Sequence, residues 1–438
     1  MLLCCRPHAG FQQSLREKLP ALVTSDPGRL LSFSRALAKV WLLDLDPAIP
    51  FLLSRYSCLG RPAEFEPLDL LRSLVLMHEL RVFSVTKWVG MLRHDRVLAV
   101  LSGFEPHKTP AVGTFYDFFH RCWLEDRSRI RARRRMLRPF KAKPRNKVKA
   151  GQKLTPKHPG VVSRLVNQAL RGRSLRLRPE RLIQQIFARC LVDRSVAFGL
   201  IPDPLALILS GDGSPLRTGN SPAGVKVCQC REKRIYRCSC QRRYPDPDAT
   251  WGWDSYREVY YYGYSLYELT AADSPYELPV FLSLAQASRH DSVLGVVALA
   301  QFNELYPHLK VAKALWDAAH DVYDFYRLHR SFDVEPFIDL NSRNLGHFRH
   351  APPVEVNEYG IPRCPAGHLM VYDGFDNKRS RIKWRCPAVA GSKRLKRQLN
   401  CSNACSSSAY GRTVYTKPLD DLRLFTKTPR CSPAWKKT

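Results

Sequence analysis

Between Arg127 and Arg181 lies a stretch that divides the chain. Arg133, Arg134, Arg135, Arg138, Lys141, Lys143, Arg145, Lys147 and Lys149 follow one another with no acidic residue among them. Pro139, Pro144, Pro156 and Pro159 argue against one continuous helix there. Like charges at this density repel into a tether. Such a tether can also track a phosphate backbone without reading base sequence. The sequence is therefore expected to form a helical N-terminal domain at 1–125, a basic DNA-contacting linker at 126–181 and a larger domain at 182–438.

The whole chain carries the same bias. Its 438 residues hold 70 Lys and Arg against 39 Asp and Glu, a formal charge of +31. Lysine and arginine gain affinity for polyanions by displacing counterions, so a nucleic-acid partner is expected. The hydrophobic share of 45% is ample for packed cores and excludes a wholly disordered chain. No apolar run is long enough for a membrane span. The apolar Met1–Cys5 is followed at once by Arg6, Pro7 and His8, which does not develop into an export signal. A cytoplasmic, nucleoid-associated location is expected. In such a setting the 14 cysteines suit thiols or metal ligands better than disulfides.

Periodicity changes across the linker. Leu68, Leu71, Leu74 and Val75 form one helical stripe, opened by Pro67, and further helices are expected over Val85–Leu92 and Arg96–Leu101, the last ended by Gly103. After a helical stretch at Leu182–Phe198, strand-like runs follow at Leu205–Leu209, Tyr260–Leu269, Pro279–Ala285, Val311–Trp316 and Pro336–Leu340. A helix at Ser292–Tyr306 separates the third run from the fourth. This is an α/β order, and other α/β folds would share the periodicity.

Two acids stand at the ends of these apolar runs. Asp212 closes Leu205-Ala-Leu-Ile-Leu-Ser-Gly, and Asp317 closes Val311-Ala-Lys-Ala-Leu-Trp. Carboxylates held at neighbouring strand ends suit a hard divalent cation, and such a site can serve phosphoryl displacement. Each Asp alone could equally cap the turn that follows it.

The segments Gly211-Asp-Gly-Ser-Pro-Leu, Trp251-Gly-Trp-Asp, Tyr262-Gly-Tyr, His290-Asp-Ser and Trp316-Asp-Ala-Ala-His-Asp resemble those of bacterial insertion-sequence transposases of the DDE superfamily. Gly103-Phe and Thr114-Phe-Tyr-Asp-Phe resemble the helical head that precedes the catalytic domain in that group. The resemblance implies an RNase H-like catalytic core behind a helical N-terminal domain, with a cysteine-rich β insertion. It implies Mg²⁺ or Mn²⁺, phosphodiester cleavage at transposon ends and strand transfer. The implied partner is double-stranded DNA, both terminal inverted repeats and target, bound by a homodimer. Asp212 matches the first catalytic Asp and Asp317 the second, with Asp321 as the alternative for the second. The family's third acid is a Glu preceded by Tyr and Arg at fixed spacing. That pattern is absent, and Glu358 is the last Glu, so the sequence is expected to stop before the third acid, with Glu358 as the alternative. A non-catalytic DNA-binding remnant and an RNase H-like nuclease are the competing expectations.

Two cysteine sets are candidate structural Zn²⁺ sites. Cys228-x-Cys230 and Cys238-x-Cys240 lie in a basic insertion. Cys364, Cys386, Cys401 and Cys405 surround a hairpin-like stretch, Met370–Arg385, that looks like a zinc-ribbon variant. Scattered reduced thiols are the alternative for each set. Tyr260, Tyr261, Tyr262, Tyr264 and Tyr267 are expected to pack within a strand. Trp251 and Trp253, just before it, are better placed to meet a base.

Overall fold

The computed structural model describes residues 5–24, 26–57, 63–123, 134–136, 159–175, 179–238, 240–246, 248–344, 354–399, 401, 405–430 and 432–438. They fall into two compact units. The first draws on Met1–Lys141, Arg176–Leu200 and Gly219–Asp248, the second on Ala142–Leu175, Ile201–Thr218 and Ala249–Thr438.

The first unit is built from helices α1 (His8–Val23), α2 (Pro27–Ser32), α3 (Ser34–Leu42), α4 (Ile49–Leu53), α5 (Pro67–Glu79), α6 (Val85–His94), α7 (Arg96–Leu101) and α8 (Val112–Cys122). Local chemistry sets their ends. Pro67 occupies the first turn of α5, where no amide partner is lost. The Ser84 hydroxyl caps α6 by accepting the Lys87 amide at 3.3 Å. Asp95 caps α7 by accepting the amides of Val97 and Leu98, and the chain turns away at Gly103 with φ of 94°. The turn is crowded as well as left-handed, since a Cβ at Gly103 would lie 2.3 Å from Asp69 Oδ1. Asp69 is buried between Arg6 at 2.9 Å and Arg72 at 2.7 Å, and desolvation still raises its pKa against their pull.

The apolar core of this unit includes Phe11, Leu68, Trp88 and Phe115, and Leu182, Ile186 and Cys190 belong to it. The helical stretch expected to open the larger domain therefore packs into the helical head. In its first part, Arg181–Phe187, Leu182 and Ile186 lie one turn apart on a single apolar face, and that face is what the head buries. A three-stranded sheet in order β1 (Arg134–Met136), β4 (Gln241–Arg243), β3 (Val225–Lys226) completes the unit.

The second unit is α/β, centred on a mixed six-stranded sheet. It contains β2 (Leu207–Arg217), β5 (Thr250–Asp254), β6 (Val259–Ala271), β7 (Leu278–Gln286), β8 (Val311–Trp316) and β9 (Glu335–Ile338). Both β5 and β7 pair β6, β6 pairs β2 antiparallel, and β2, β8 and β9 run parallel in that order. The helix Asp291–Leu305 lies between β7 and β8, and Tyr323–Ser331 links the parallel neighbours β8 and β9, which need a crossover. Asp212 does not end its strand as the sequence suggests. The parallel pairing of β2 with β8 stops at Ser210, whereas its pairing with the longer β6 carries on to Arg217. A smaller sheet, β10 (Val371–Asp376), β11 (Arg381–Arg385) and β12 (Thr413–Thr416), covers its own cluster of Cys364, Met370, Ile382, Trp384, Leu424 and Phe425. Among the described residues, no helix is long and apolar enough to cross a membrane.

Candidate functional site

In the second unit, register places the two aspartates. Leu209 pairs with Ala314 and Ser210 with Leu315 across the parallel strands, where the pairing ends; the same offset carried two residues further would bring Asp212 level with Asp317. On its other side Asp212 is paired with Glu268 of β6. Gly211 and Trp316, one step earlier, show how close the strands are: a Cβ at Gly211 would lie 2.1 Å from Trp316 Cζ3.

Asp317 is half open, and one of its oxygens is anchored from below. Its Oδ1 accepts from Nδ1 of the fully buried His320 at 2.6 Å and from the Ala319 amide at 3.2 Å. A carboxylate only accepts, so His320 Nδ1 is the donor, and Nε2 is left to accept the Tyr267 hydroxyl at 2.7 Å. The result is a Tyr267–His320–Asp317 chain. The His320 bond is the main cause that holds the Asp317 carboxyl below its ordinary pKa. Gly295 makes room for the chain, since a Cβ there would lie 2.9 Å from His320 Cδ2 and 3.0 Å from the Tyr267 hydroxyl.

Asp291, which the sequence does not single out as a site residue, opens the helix above this row. Its Oδ1 would lie 2.6 Å from a Cβ at Gly213, the residue after Asp212. Burial raises its pKa, with the charges of Asp212 and Asp317 adding to the rise and His320 and His290 opposing it. Burial likewise pushes the Tyr267 phenol well up, helped by the same three carboxylates. The signal for Asp291 was present as His290-Asp-Ser between a strand and an apolar helix. His320 lay in Trp316-Asp-Ala-Ala-His-Asp in the same way, but a histidine near an acid is common and its burial is a tertiary fact.

Asp321 is engaged elsewhere. Its Oδ1 accepts from Tyr326 at 3.0 Å and Arg423 Nε at 2.7 Å, and its Oδ2 from Arg423 Nη2 at 2.7 Å and the Asn341 amide at 2.8 Å. Glu358 is exposed in a turn before the small sheet. Of the expected DNA-contacting residues, Arg134 and Arg135 lie in β1, whose backbone pairs Arg243 and Arg242. Arg133, Arg138, Lys141, Lys143 and Arg145 fall outside the described residues. Tyr261 and Tyr267 are buried as expected, whereas Tyr260 is 72% exposed and stands against Trp253, itself half exposed, with ring centroids 4.8 Å apart.

The first cysteine set is assembled in the first unit. Antiparallel pairing of Val225 with Arg243 and Lys226 with Arg242 points Cys228 toward Cys240. The loop then reverses through a 3-10 turn at Gln229–Arg231, with Arg234 left-handed at φ of 55° and the Ile235 amide returning to the Cys230 carbonyl at 2.8 Å. This brings Cys228 Sγ to 3.6 Å from Cys238 Sγ, and Cys230 Sγ to 3.5 Å from Cys240 Sγ. Among the described residues this is the one group of three or more candidate metal-binding side chains whose ligand atoms all lie within 4.8 Å of one another. Four thiolates at ~2.3 Å from a tetrahedral Zn²⁺ would sit about 3.8 Å apart, so the group can hold a metal ion such as zinc. Hydrogen bonds from the Cys230 amide and the Cys238 thiol draw the Cys228 thiol down to about 7, whereas hydrogen bonds with Cys240 and Cys228 push the Cys230 thiol up and Cys240 is raised as well.

Among the described residues, Cys364, Cys386, Cys401 and Cys405 do not form such a group. Cys364 packs as a small hydrophobe against the cluster under the small sheet, and Cys386 is buried at the start of the turn of helix Pro387–Ala390. The Met370–Arg385 hairpin itself is present as β10 and β11. No family model matches the chain, and no curated protein or solved structure matches it either.

Proposed function

We propose that the chain is a DDE-type transposase whose second unit is an RNase H-like catalytic core acting on double-stranded DNA. The observation that carries this reading is the parallel register of β2 on β8, which, extended past its last pair at Ser210 and Leu315, would bring Asp212 level with Asp317. The strand order β5-β6-β2-β8-β9, with β7 also pairing β6, supports it: antiparallel strands up to β2, then the parallel β8 and β9. It is the order that an RNase H-like domain requires.

Asp212 and Asp317 would hold Mg²⁺ or Mn²⁺. The donor set fits a hard cation: both acids are open to solvent, and Oδ2 of Asp317 is left to a ligand when His320 takes Oδ1. A divalent cation bound there would supply Lewis-acid stabilisation of phosphoryl charge. The protein's own part is positional. Tyr267 holds His320, His320 holds Asp317, and Gly213 lets Asp291 approach the pair. The charge of +31 supports duplex DNA as the partner, with the basic run from Arg133 to Arg145 among its contacts. A homodimer on the two transposon ends belongs to the same reading.

Mn²⁺ binding followed by electron paramagnetic resonance tests the site. Asp212→Asn and Asp317→Asn should each lose the bound signal while keeping the circular dichroism of the wild type. Undiminished Mn²⁺ affinity in both variants would sink the assignment.

A further inference from the structure

The four-cysteine insertion buries few of its described residues. Among the described residues of Gly219–Asp248 the buried large side chain is Tyr244, and the loop that carries the thiols is exposed from Arg231 to Arg237. Two of its basic residues are used internally: Lys226 Nζ donates to the Tyr236 carbonyl, and Arg242 Nη1 to the Ala223 carbonyl at 2.9 Å. The others face water. Arg231, Lys233, Arg234, Arg237 and Arg243 are all exposed, with Glu232 the acid among them, and Tyr236 stands 67% exposed at the same tip. A metal that served folding alone would need no such concentration of positive charge. Through β4 this finger is also hydrogen-bonded to β1, part of the long basic run, so two basic segments are joined in one sheet.

We propose that the metal-clamped finger, residues 225–243, is a contact for the phosphate backbone of duplex DNA, with the metal fixing the loop that presents the charges. Arginine and lysine side chains on a short constrained loop meet phosphates at less conformational cost than the same residues on a free tether. The contact is independent of base sequence, because phosphate contacts position a protein without reading bases. The proposal rests on the DNA-binding reading above and adds to it a second, metal-dependent point of attachment.

The full chain is titrated with a fluorescein-labelled, random-sequence DNA duplex across a series of salt concentrations. Bound zinc is measured with a chromogenic chelator after thiol oxidation. The variant R231Q/K233Q/R237Q should keep its zinc and lower the log–log salt slope by roughly 2.7, about 0.9 per lost phosphate contact. C228S/C238S should lose zinc and bind the duplex more weakly at every salt concentration. If the triple variant loses zinc, R237Q alone should keep it and lower the slope by about 0.9. An unchanged slope with zinc retained overturns the finger as a contact, as does zinc removal that leaves affinity unchanged. Those outcomes leave duplex binding by the wild type intact, whereas no duplex binding by the wild type overturns the DNA reading and the finger together. Tighter binding to single-stranded RNA than to the duplex overturns the choice of DNA.

Discussion

Asp321 and Arg423 meet as a buried, two-pronged ion pair across a long span of sequence, Nε to Oδ1 and Nη2 to Oδ2, each at 2.7 Å. Arg430 adds to the same seam by donating to the Arg423 carbonyl at 2.9 Å and the Tyr326 hydroxyl at 2.9 Å. The segment after β12 is thereby fastened to the stretch that follows β8. Removing one partner leaves a charge buried without its counter-ion. Arg423→Met should therefore cost on the order of 3–5 kcal/mol in chemical denaturation. Asp321→Asn should also destabilise the fold but leave Mn²⁺ binding in place. Loss of Mn²⁺ from a folded Asp321→Asn protein would make Asp321, and not a structural partner of Arg423, the second metal-binding acid.

Gly211 is fixed by contact. Its backbone lies against the Trp316 indole, which cannot swing aside, because Trp316 packs on Phe325 and His329 and donates to His329 Nε2 at 2.8 Å. Gly211→Ala should separate β2 from β8 just before the aspartate row and destabilise the protein by about 3 kcal/mol. Thermal unfolding measures the loss of stability, and the Mn²⁺ affinity should fall with it. A Gly211→Ala protein as stable as the wild type would show that the strands have room to spare.

Much of the scaffold was legible because it is local. Pro67, Ser84 and Asp95 mark helix starts by capping chemistry, and β8 has the bounds that its apolar run predicts, Val311–Trp316. The paired Cys-x-Cys spacings likewise describe a loop that can fold back on itself. What stayed hidden was tertiary choice. Gly211-Asp-Gly-Ser-Pro reads as a turn, yet pairing with a long β6 keeps it extended to Arg217. The apolar face of Leu182 and Ile186 would suit either unit. Cys364 and Cys386 have metal-like spacing, and their burial is set by contacts distant in sequence. Asp321 stands as close to Trp316 in sequence as a site acid should, and only the arrival of Arg423 shows its role.

His329 supplies a pH dependence. It is fully buried, accepts Trp316 Nε1–H at Nε2 and donates from Nδ1 to the Phe325 carbonyl at 2.8 Å, so its neutral form is satisfied and a second ring proton would face a donor. Burial lowers its pKa from 6.5 to about 4. The native value lies below the unfolded one, so the unfolded chain takes up the proton first. The stability that neutral His329 contributes is present above about 6.5 and is lost as pH falls toward about 4. The loss should be on the order of 3 kcal/mol. Urea denaturation between those pH values should show a steeper decline for the wild type than for His329→Gln, which keeps an acceptor for Trp316 but does not titrate. Parallel curves for the two proteins would remove His329 as the cause.

His320 allows positioning to be separated from plain structural support. It is wholly buried and bridges Tyr267 to Asp317, so any substitution will cost stability. Its substitutes differ in what they can still reach. An asparagine amide can stand in for Nδ1 and donate to Asp317, whereas leucine fills the space with no donor. Partners behind a metal-binding side chain typically contribute 10–100-fold in metal affinity. His320→Leu should therefore weaken Mn²⁺ binding by about tenfold or more, and His320→Asn should recover most of that loss although both variants unfold at lower temperature than the wild type. Tyr267→Phe should fall between them, since it frees the far side of the imidazole and leaves the bond to Asp317 intact. Equal Mn²⁺ affinity for the Leu and Asn variants would reduce His320 to a packing residue and detach it from Asp317.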